Sequence, residues 1–491
     1  MEKVKPNTMS NKAMNEKDLT PLSHNDPEVS GQAHGSPSWD KAEESRLLWK
    51  MDLMILPALF VFYTLSFLDR INIGNAAIEG LNEDLGLNLF YGFYIIMEVP
   101  SNMILKNARP SLYLPTLMFG WGIITLCMGF LSSYQAFYGL RLLLGFLEAG
   151  LVPGIIYVTS MYYRRHEYQK RFSLIFVATS VGGGFGGLLA YAIANLSGSS
   201  GYAGWRWIYI IEGSVTCFIA ALAPLILVDW PDKCRFFSPA ERELIHLRLI
   251  DDGGEFRMDT LDRHAAKRIV LDWKIYLGSL TCMGLTTSTL AISVFLPVVL
   301  SEFGWKASEA QIHTIPIYMF TLVLTLLLSW ISDRIKHRYG FIMLCCVMAT
   351  IGYGMLLNSE HLSRGTKYGA CFLIAGGGLC SGPITIVFLS NNLAGHWKRS
   401  VGSAILVSFS GIAGIIGTLM FLNSQKPLYH TGFATGLGMA WLSGFSATIM
   451  VTGMWIENRK RDRGERNDRL SWPEEILINL GDYHPGFRYT L

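Results

Sequence analysis

Charge is scarce in this chain. Asp, Glu, Lys and Arg together make 16% of the 491 residues, while 51% are hydrophobic. That balance excludes an ordinary soluble fold and suits a polytopic membrane protein. A mean hydropathy of +0.31 agrees. The net charge of +3 carries little information; where the charges fall carries more. No cleavable leader is evident, because the first 44 residues are polar throughout, so the first apolar run is expected to direct insertion itself. The eight cysteines lack metal-type spacing and lie almost all inside apolar runs, which reads as small apolar packing. His166-Glu167 is followed by Lys170 rather than a second His, which excludes a zinc-protease helix. The run Gly182-Gly-Gly-Phe-Gly-Gly187 follows no strand and sits in an apolar span, so it reads as close helix packing rather than a nucleotide loop. No clustered catalytic set stands at one membrane face, which argues against an enzyme. No repeated pore segment suggests a channel, and no metal or cofactor is expected.

What the chain has is apolar runs long enough to span a bilayer. They fall at about 52–74, 87–105, 111–131, 135–158, 172–195, 206–229, 275–300, 310–331, 339–358, 368–392, 400–422 and 434–456. The expectation is an all-α membrane protein of twelve transmembrane helices. Residues 1–44 read as a disordered tail. The widest polar gap, 230–273, separates a six-helix bundle at 45–229 from a second at 274–457, and 458–491 is a further tail. The gap holds Glu241, Arg242, Glu243, His246 and Arg248 on an expected surface helix. Basic residues concentrate in alternate gaps: Lys106 and Arg109; Arg164, Arg165, Lys170 and Arg171; the central gap; Arg334, Lys336 and Arg338; Lys398 and Arg399. The positive-inside rule then puts both termini in the cytoplasm. Asn195-Leu-Ser197 is a sequon on the outer side, close against the membrane.

The charges inside the spans are the functional candidates, since burying them in lipid is costly. Arg141 and Glu148 lie seven residues apart in the fourth run. Seven residues is two helical turns, about 10 Å, so both side chains share one face. They read either as a structural ion pair locking two helices or as an anion site beside a proton-titratable carboxylate. On the second reading an entering anion competes with Glu148 for Arg141 and favours protonation of Glu148. Asp69 and Arg70 mark the outer interface or, if the first helix continues past them, line a cavity; Ile71, Ile73, Ala76, Ala77 and Ile78 favour continuation. Arg70 would then meet a substrate carboxylate and Asp69 take a proton. Glu98, before the helix-breaking Pro100, and Glu212 read as structural. Asn391 and Asn392 end the tenth run, where they line the inner mouth or cap the helix. Ser408 and Ser410 are potential donors to a substrate.

Several motifs carry a resemblance. Lys106 and Arg109 after the second run are echoed by Asp333-Arg334 and Arg338 after the eighth, the mark of a duplicated transporter. Gly204-Trp-Arg-Trp-Ile-Tyr-Ile-Ile-Glu-Gly213, Phe67-Leu-Asp-Arg-Ile-Asn-Ile-Gly-Asn75, Glu98-Val-Pro-Ser-Asn102, Glu148-Ala-Gly-Leu-Val-Pro-Gly154, Asn391-Asn-Leu-Ala-Gly-His-Trp-Lys-Arg399 and Leu480-Gly-Asp-Tyr-His-Pro-Gly-Phe-Arg-Tyr489 occur in order. Together they resemble the major facilitator superfamily, and within it the fungal allantoate and nicotinate permease type of anion:cation symporter. The resemblance implies alternating access and symport of a small organic anion, such as nicotinate, pantothenate or allantoate, with protons. It implies proton coupling at Asp69 and Glu148, and substrate binding at Arg70, Arg141 and a cavity tyrosine, Tyr94, with Asn391 and Ser410 added here. Glu98, Asp333, Arg334 and Arg338 fall in gating or structural motifs. The proton gradient would supply the energy. The partners are the anion, protons and the lipid bilayer; no nucleic acid is expected, and the protein is expected to be a monomer in the plasma membrane. One departure stands out: the stretch from Asp84-Leu-Gly-Leu87 to Glu98 is two to three turns shorter than is usual in the family, leaving the second helix near 25 Å of usable length. A non-transporting sensor or inactive paralogue is the alternative.

Overall fold

The computed structural model describes residues 39–78, 87–131, 133–194, 196, 198, 201–253, 263–335, 337–421, 425, 428–473, 477 and 479–491. Among these, sixteen α-helices follow in order. They are α1 (Lys41–Ile78), α2 (Leu87–Asn107), α3 (Pro110–Met128), α4 (Tyr134–Glu148), α5 (Leu151–Ser160), α6 (Arg165–Phe176), α7 (Ala178–Ala194) and α8 (Gly204–Ile226). Two short helices, α9 (Pro239–Gly253) and α10 (Arg263–Val270), lie in the central polar gap. The rest are α11 (Trp273–Glu302), α12 (Ala307–Ile335), α13 (Tyr339–Leu357), α14 (Arg364–Asn391), α15 (His396–Leu419) and α16 (His430–Asp462).

Among the described residues, every apolar run is built on helix. Helices α4 and α5 form one span broken at Ala149–Gly150, and α6 and α7 form another broken at Val177. Among the described residues, eleven spans are long and apolar enough to cross a membrane. The expected twelfth is α2, whose Asn88, Glu98, Ser101 and Asn102 hold its hydropathy down. It nevertheless has 21 residues, about 31 Å, because it runs on through Lys106 and Asn107 beyond the purely apolar stretch. Asn195 and Ser197 of the sequon, and residues 79–86, lie outside the described residues.

Two large apolar cores form among the described residues, one around Leu59, Trp121 and Tyr209 and one around Tyr353, Phe388 and Met450, with a small cluster at Ile193 and Ile208. In the first half α3 packs on α8, and α2 on α4. In the second half α11 lies against α14, α15 and α16, and α13 against α14 and α16. The halves meet along two seams, α2 with α15 and α7 with α12. The glycine run of α7 is what lets the second seam close: Cβ atoms at Gly183 and Gly187 would collide with Tyr318 and Thr314 of α12, and at Gly186 with Ile71 and Leu68 of α1. Close packing is thus its role.

The α3–α8 contact is equally tight. A Cβ on Gly213 would fall on the main chain of Leu126, 2.7 Å from its Cα. Backbone cannot step aside as a flexible side chain can, so Gly213→Val is expected to cost about 1–3 kcal/mol or more through overpacking. Thermal unfolding in detergent should show the lowered melting temperature, and an unchanged value would refute the contact.

Charged residues at the helix ends find partners. Arg171 clasps Asp52 with Nε and Nη2 at 2.5 and 2.9 Å, and Lys50 bonds Glu241 at 2.8 Å. Arg248, expected on an exposed face, is 1% exposed and pairs with Glu167 at 2.5 Å. Its helix α9 docks on α6 rather than floating in solvent. Residues 480–491, the end of the expected tail, fold back onto the second half. There Lys274 meets Asp272 and Asp482, both at 2.9 Å, and Lys398 meets Asp482 at 2.5 Å and also Asp272. All four side chains are at most 3% exposed. Arg461 donates to the main-chain oxygens of Phe487 and Asp482 at 2.7 and 2.9 Å. Asn392 exchanges bonds with the backbone of Thr490, and Asn458 with that of Tyr489.

Candidate functional site

The site is built on one turn of α1. Helix α1 continues past Asp69 and Arg70 to Ile78, so these residues are inside a helix and not at its end. Ser66 and Arg70 are four apart and therefore share a face. Both reach Glu148 at the last residue of α4: Ser66 Oγ and Arg70 Nη2 each donate to Glu148 Oε1 at 2.5 Å. Glu148 is 1% exposed, and its Oε2 has no hydrogen-bond partner among the described residues. The Arg70 guanidinium also lies 5.2 Å from the ring centre of Tyr94 on α2, a cation–π contact. Just past Glu148 the chain breaks at Gly150, which packs tightly on α2 and α3: a Cβ there would strike Ser101 and Leu117.

The neighbouring faces of α1 serve α3 and α8. Asp69 accepts from Trp121 Nε1 at 3.1 Å and Thr216 Oγ1 at 3.3 Å, and its Oδ1 is unpartnered among the described residues. Asn72 donates to Glu212. Arg141 donates to Tyr209 OH at 2.8 Å and is flanked by the rings of Phe137 and Tyr209 at 5.4 and 5.7 Å. It is 2% exposed, and its Nε lacks a partner among the described residues.

This corrects the reading of Arg141 and Glu148 as an ion pair. The two do share a face of the α4 stretch, but face logic within one helix cannot see what a neighbouring helix brings. Arg70 arrives from α1 and takes the carboxylate, and Tyr209 from α8 takes the guanidinium. An anion competing for a cation would therefore release Glu148 from Arg70, with Arg141 offering a second guanidinium.

The remaining sequence candidates are dispersed. Glu98 is 0% exposed in the middle of α2, in the range of Arg70, rather than at the basic hairpin. Ser410 Oγ donates to Leu406 O at 3.2 Å and lies 3.7 Å from Cys282 Sγ on α11. Asn391 belongs to the hairpin: its side-chain oxygen accepts from both terminal nitrogens of Arg338, Nη2 at 2.9 Å. Asp333 feels the charges of Arg338 and of Lys170 from α6, and Arg334 stacks 4.5 Å over Trp330. Sequence reasoning did not single out Ser66, Trp121, Tyr209 or Thr216. Ser66 was legible in principle, as a polar residue one turn before Arg70.

The chain matches the Major Facilitator Superfamily over residues 59–418. It belongs to that family. It is accordingly a multi-pass membrane protein and a secondary transporter of a small molecule. It is 32% identical to an uncharacterized transporter of Schizosaccharomyces pombe, covering 95% of this chain and 94% of that one. It is 31% identical to the MFS-type transporter cnsO of Penicillium expansum, over 92% and 91%. It is 29% identical to the high-affinity nicotinic acid transporter of Saccharomyces cerevisiae, over 93% and 86%. Among solved structures, a proton:xylose symporter aligns with TM-score 0.60 at 18% identity, covering 84% of this chain and 96% of that chain. A bacterial homolog of the human lysosomal transporter Spinster, inward-facing and occupied, aligns with TM-score 0.58 at 15% identity, over 84% and 97%. Both likenesses are of fold.

Proposed function

We propose that this member of the superfamily carries a small organic carboxylate together with protons. The observation that carries the proposal is the Arg70–Glu148 pair, 2.5 Å long and buried at Glu148, with a further, buried guanidinium at Arg141. A substrate carboxylate binding Arg70 displaces Glu148, which then lacks a counter-charge in a buried setting and takes a proton. Substrate and proton thus load together. When the site opens on the other side and the anion leaves, Arg70 recaptures Glu148 and the proton goes. Asp69, tied to Trp121 and Thr216 on the adjacent face, is the second acidic group of the mechanism. The similarity to a transporter named for nicotinic acid supports a carboxylate class.

The rest of the reading goes with it: α2 as the twelfth span, two bundles at 45–229 and 274–457 rocking about a central site, both termini cytoplasmic, and a monomer in the plasma membrane. The positive-inside distribution supports the orientation. The sensor alternative leaned on a short second helix; at about 31 Å, α2 matches a hydrocarbon core of about 30 Å, which favours transport.

The test is uptake of labelled nicotinate, pantothenate and allantoate into vesicles bearing the protein, with and without an inward proton gradient. Gradient-dependent accumulation of one acid is expected. Folded protein that accumulates none of a wider carboxylate panel would refute the reading.

A further inference from the structure

The seam between α2 and α15 has a regular antiparallel register. Tyr91 packs where a Cβ of Gly414 would be, and Ile95 where a Cβ of Gly411 would be. At the far end the Lys106 ammonium sits 3.0 Å from the ring centre of Trp397. Between these contacts, one turn from Tyr94 and Ile95 on α2, stands Glu98, and across the seam, one turn from Gly411 on α15, stands Ser408. Glu98 is completely buried, and neither of its carboxylate oxygens has a hydrogen bond among the described residues. Ser408 is close enough across the seam to act on this carboxylate, but its hydroxyl is donated to Ala404 O at 3.0 Å.

A carboxylate sealed at mid-helix, about 14 Å from the helix end, is tolerated only when paired or neutral. The charged groups on the surrounding elements include Asp69 and Arg70 on α1, with Lys50 and Asp52 toward its start, Arg141 and Glu148 on α4, and Lys398 and Arg399 at the start of α15; α5 has none. Lys398 is consumed by Asp272 and Asp482, and Arg399 donates to Leu393 O at 2.9 Å. Arg141 is held by Tyr209, and Arg70, the charge that acts on Glu98, is bonded to Glu148.

We propose that Glu98 is a proton-exchange site that must be protonated for the α2–α15 seam to close. The proton comes from water while the seam is open and returns to water when it reopens. The seam joins the two halves of the molecule, so this proton reports and controls closure, separately from the one that Glu148 takes when an anion binds. Its consequence for transport rests on the reading above; its test does not.

The full-length protein in liposomes is examined by infrared difference spectroscopy at neutral pH, without substrate. Wild type minus Glu98→Gln is expected to show one protonated-carboxyl band, and Glu98→Asp to shift that band rather than abolish it. Hydrogen–deuterium exchange over α2 and α15 is then followed as pH is raised, corrected for intrinsic base catalysis. Wild type is expected to lose protection as the seam opens, while Glu98→Gln, which cannot ionise, keeps it. The absence of a protonated-carboxyl band, or equal loss of protection in both proteins, overturns the proposal. If both results hold and no carboxylate is carried in the uptake panel, the proton site stands and the substrate reading falls.

Discussion

Arg70→Ala abolishes uptake: the expected loss is at least about 100-fold, equivalent to about 3 kcal/mol, the low end of the cost of breaking a buried ion pair. Two effects act together. The substrate loses the guanidinium that would hold its carboxylate, and Glu148 keeps only Ser66 on Oε1. Without Arg70 to exchange, Glu148 no longer follows substrate binding. Arg70→Lys should recover part of the binding, because the charge remains while the planar fork that serves Glu148 and stacks on Tyr94 does not. Glu148→Gln should separate the roles. It keeps an acceptor for Arg70, so counterflow of labelled acid continues, but accumulation no longer responds to the proton gradient. Vesicle uptake and counterflow, measured side by side, check all three variants. Wild-type accumulation in Arg70→Ala would sink the assignment of Arg70, and gradient-driven accumulation in Glu148→Gln would sink that of Glu148.

The rarity of charge explains how much of this was legible beforehand. Apolar runs long enough to span are visible without any partner, and all of them are helices. A charge inside such a run is costly enough to stand out, which is how Asp69, Arg70, Arg141 and Glu148 came forward. Their pairing was not legible, because it depends on which helices touch. Glu148 meets Arg70 rather than Arg141 because α1 brings Ser66 and Arg70 to the end of α4. Glu98 reads from the sequence only as a structural residue before Pro100, because its neighbour across the seam, Ser408, lies 310 residues away in sequence. The fate of residues 480–491 was hidden for the opposite reason: a polar segment looks solvated until its partners are known.

That segment yields the second large effect. Asp482→Asn is expected to destabilise the fold by about 3–5 kcal/mol, because it removes one carboxylate from a buried set of two lysines and two aspartates. Lys274 and Lys398 would be left with Asp272 alone. The asparagine preserves shape, and the main-chain oxygen that Arg461 holds is untouched, so the loss isolates charge. Burial works against the Asp482 charge, but Lys398 and Lys274 outweigh it and hold its carboxyl down to about 2. A depressed carboxyl stabilises the fold fully above its unfolded value of about 3.9 and loses that contribution as pH falls toward the folded value. The wild-type melting temperature should therefore fall between roughly pH 4 and 2 more steeply than that of Asp482→Asn. At neutral pH the variant should melt lower by roughly 3–5 °C. Removing a lysine as well, in Lys274→Met with Asp482→Leu, restores the balance of one ammonium to one carboxylate and should recover much of the loss. Thermal unfolding in detergent decides it: equal melting of wild type and Asp482→Asn would mean that residues 480–491 rest on the second half without holding it together.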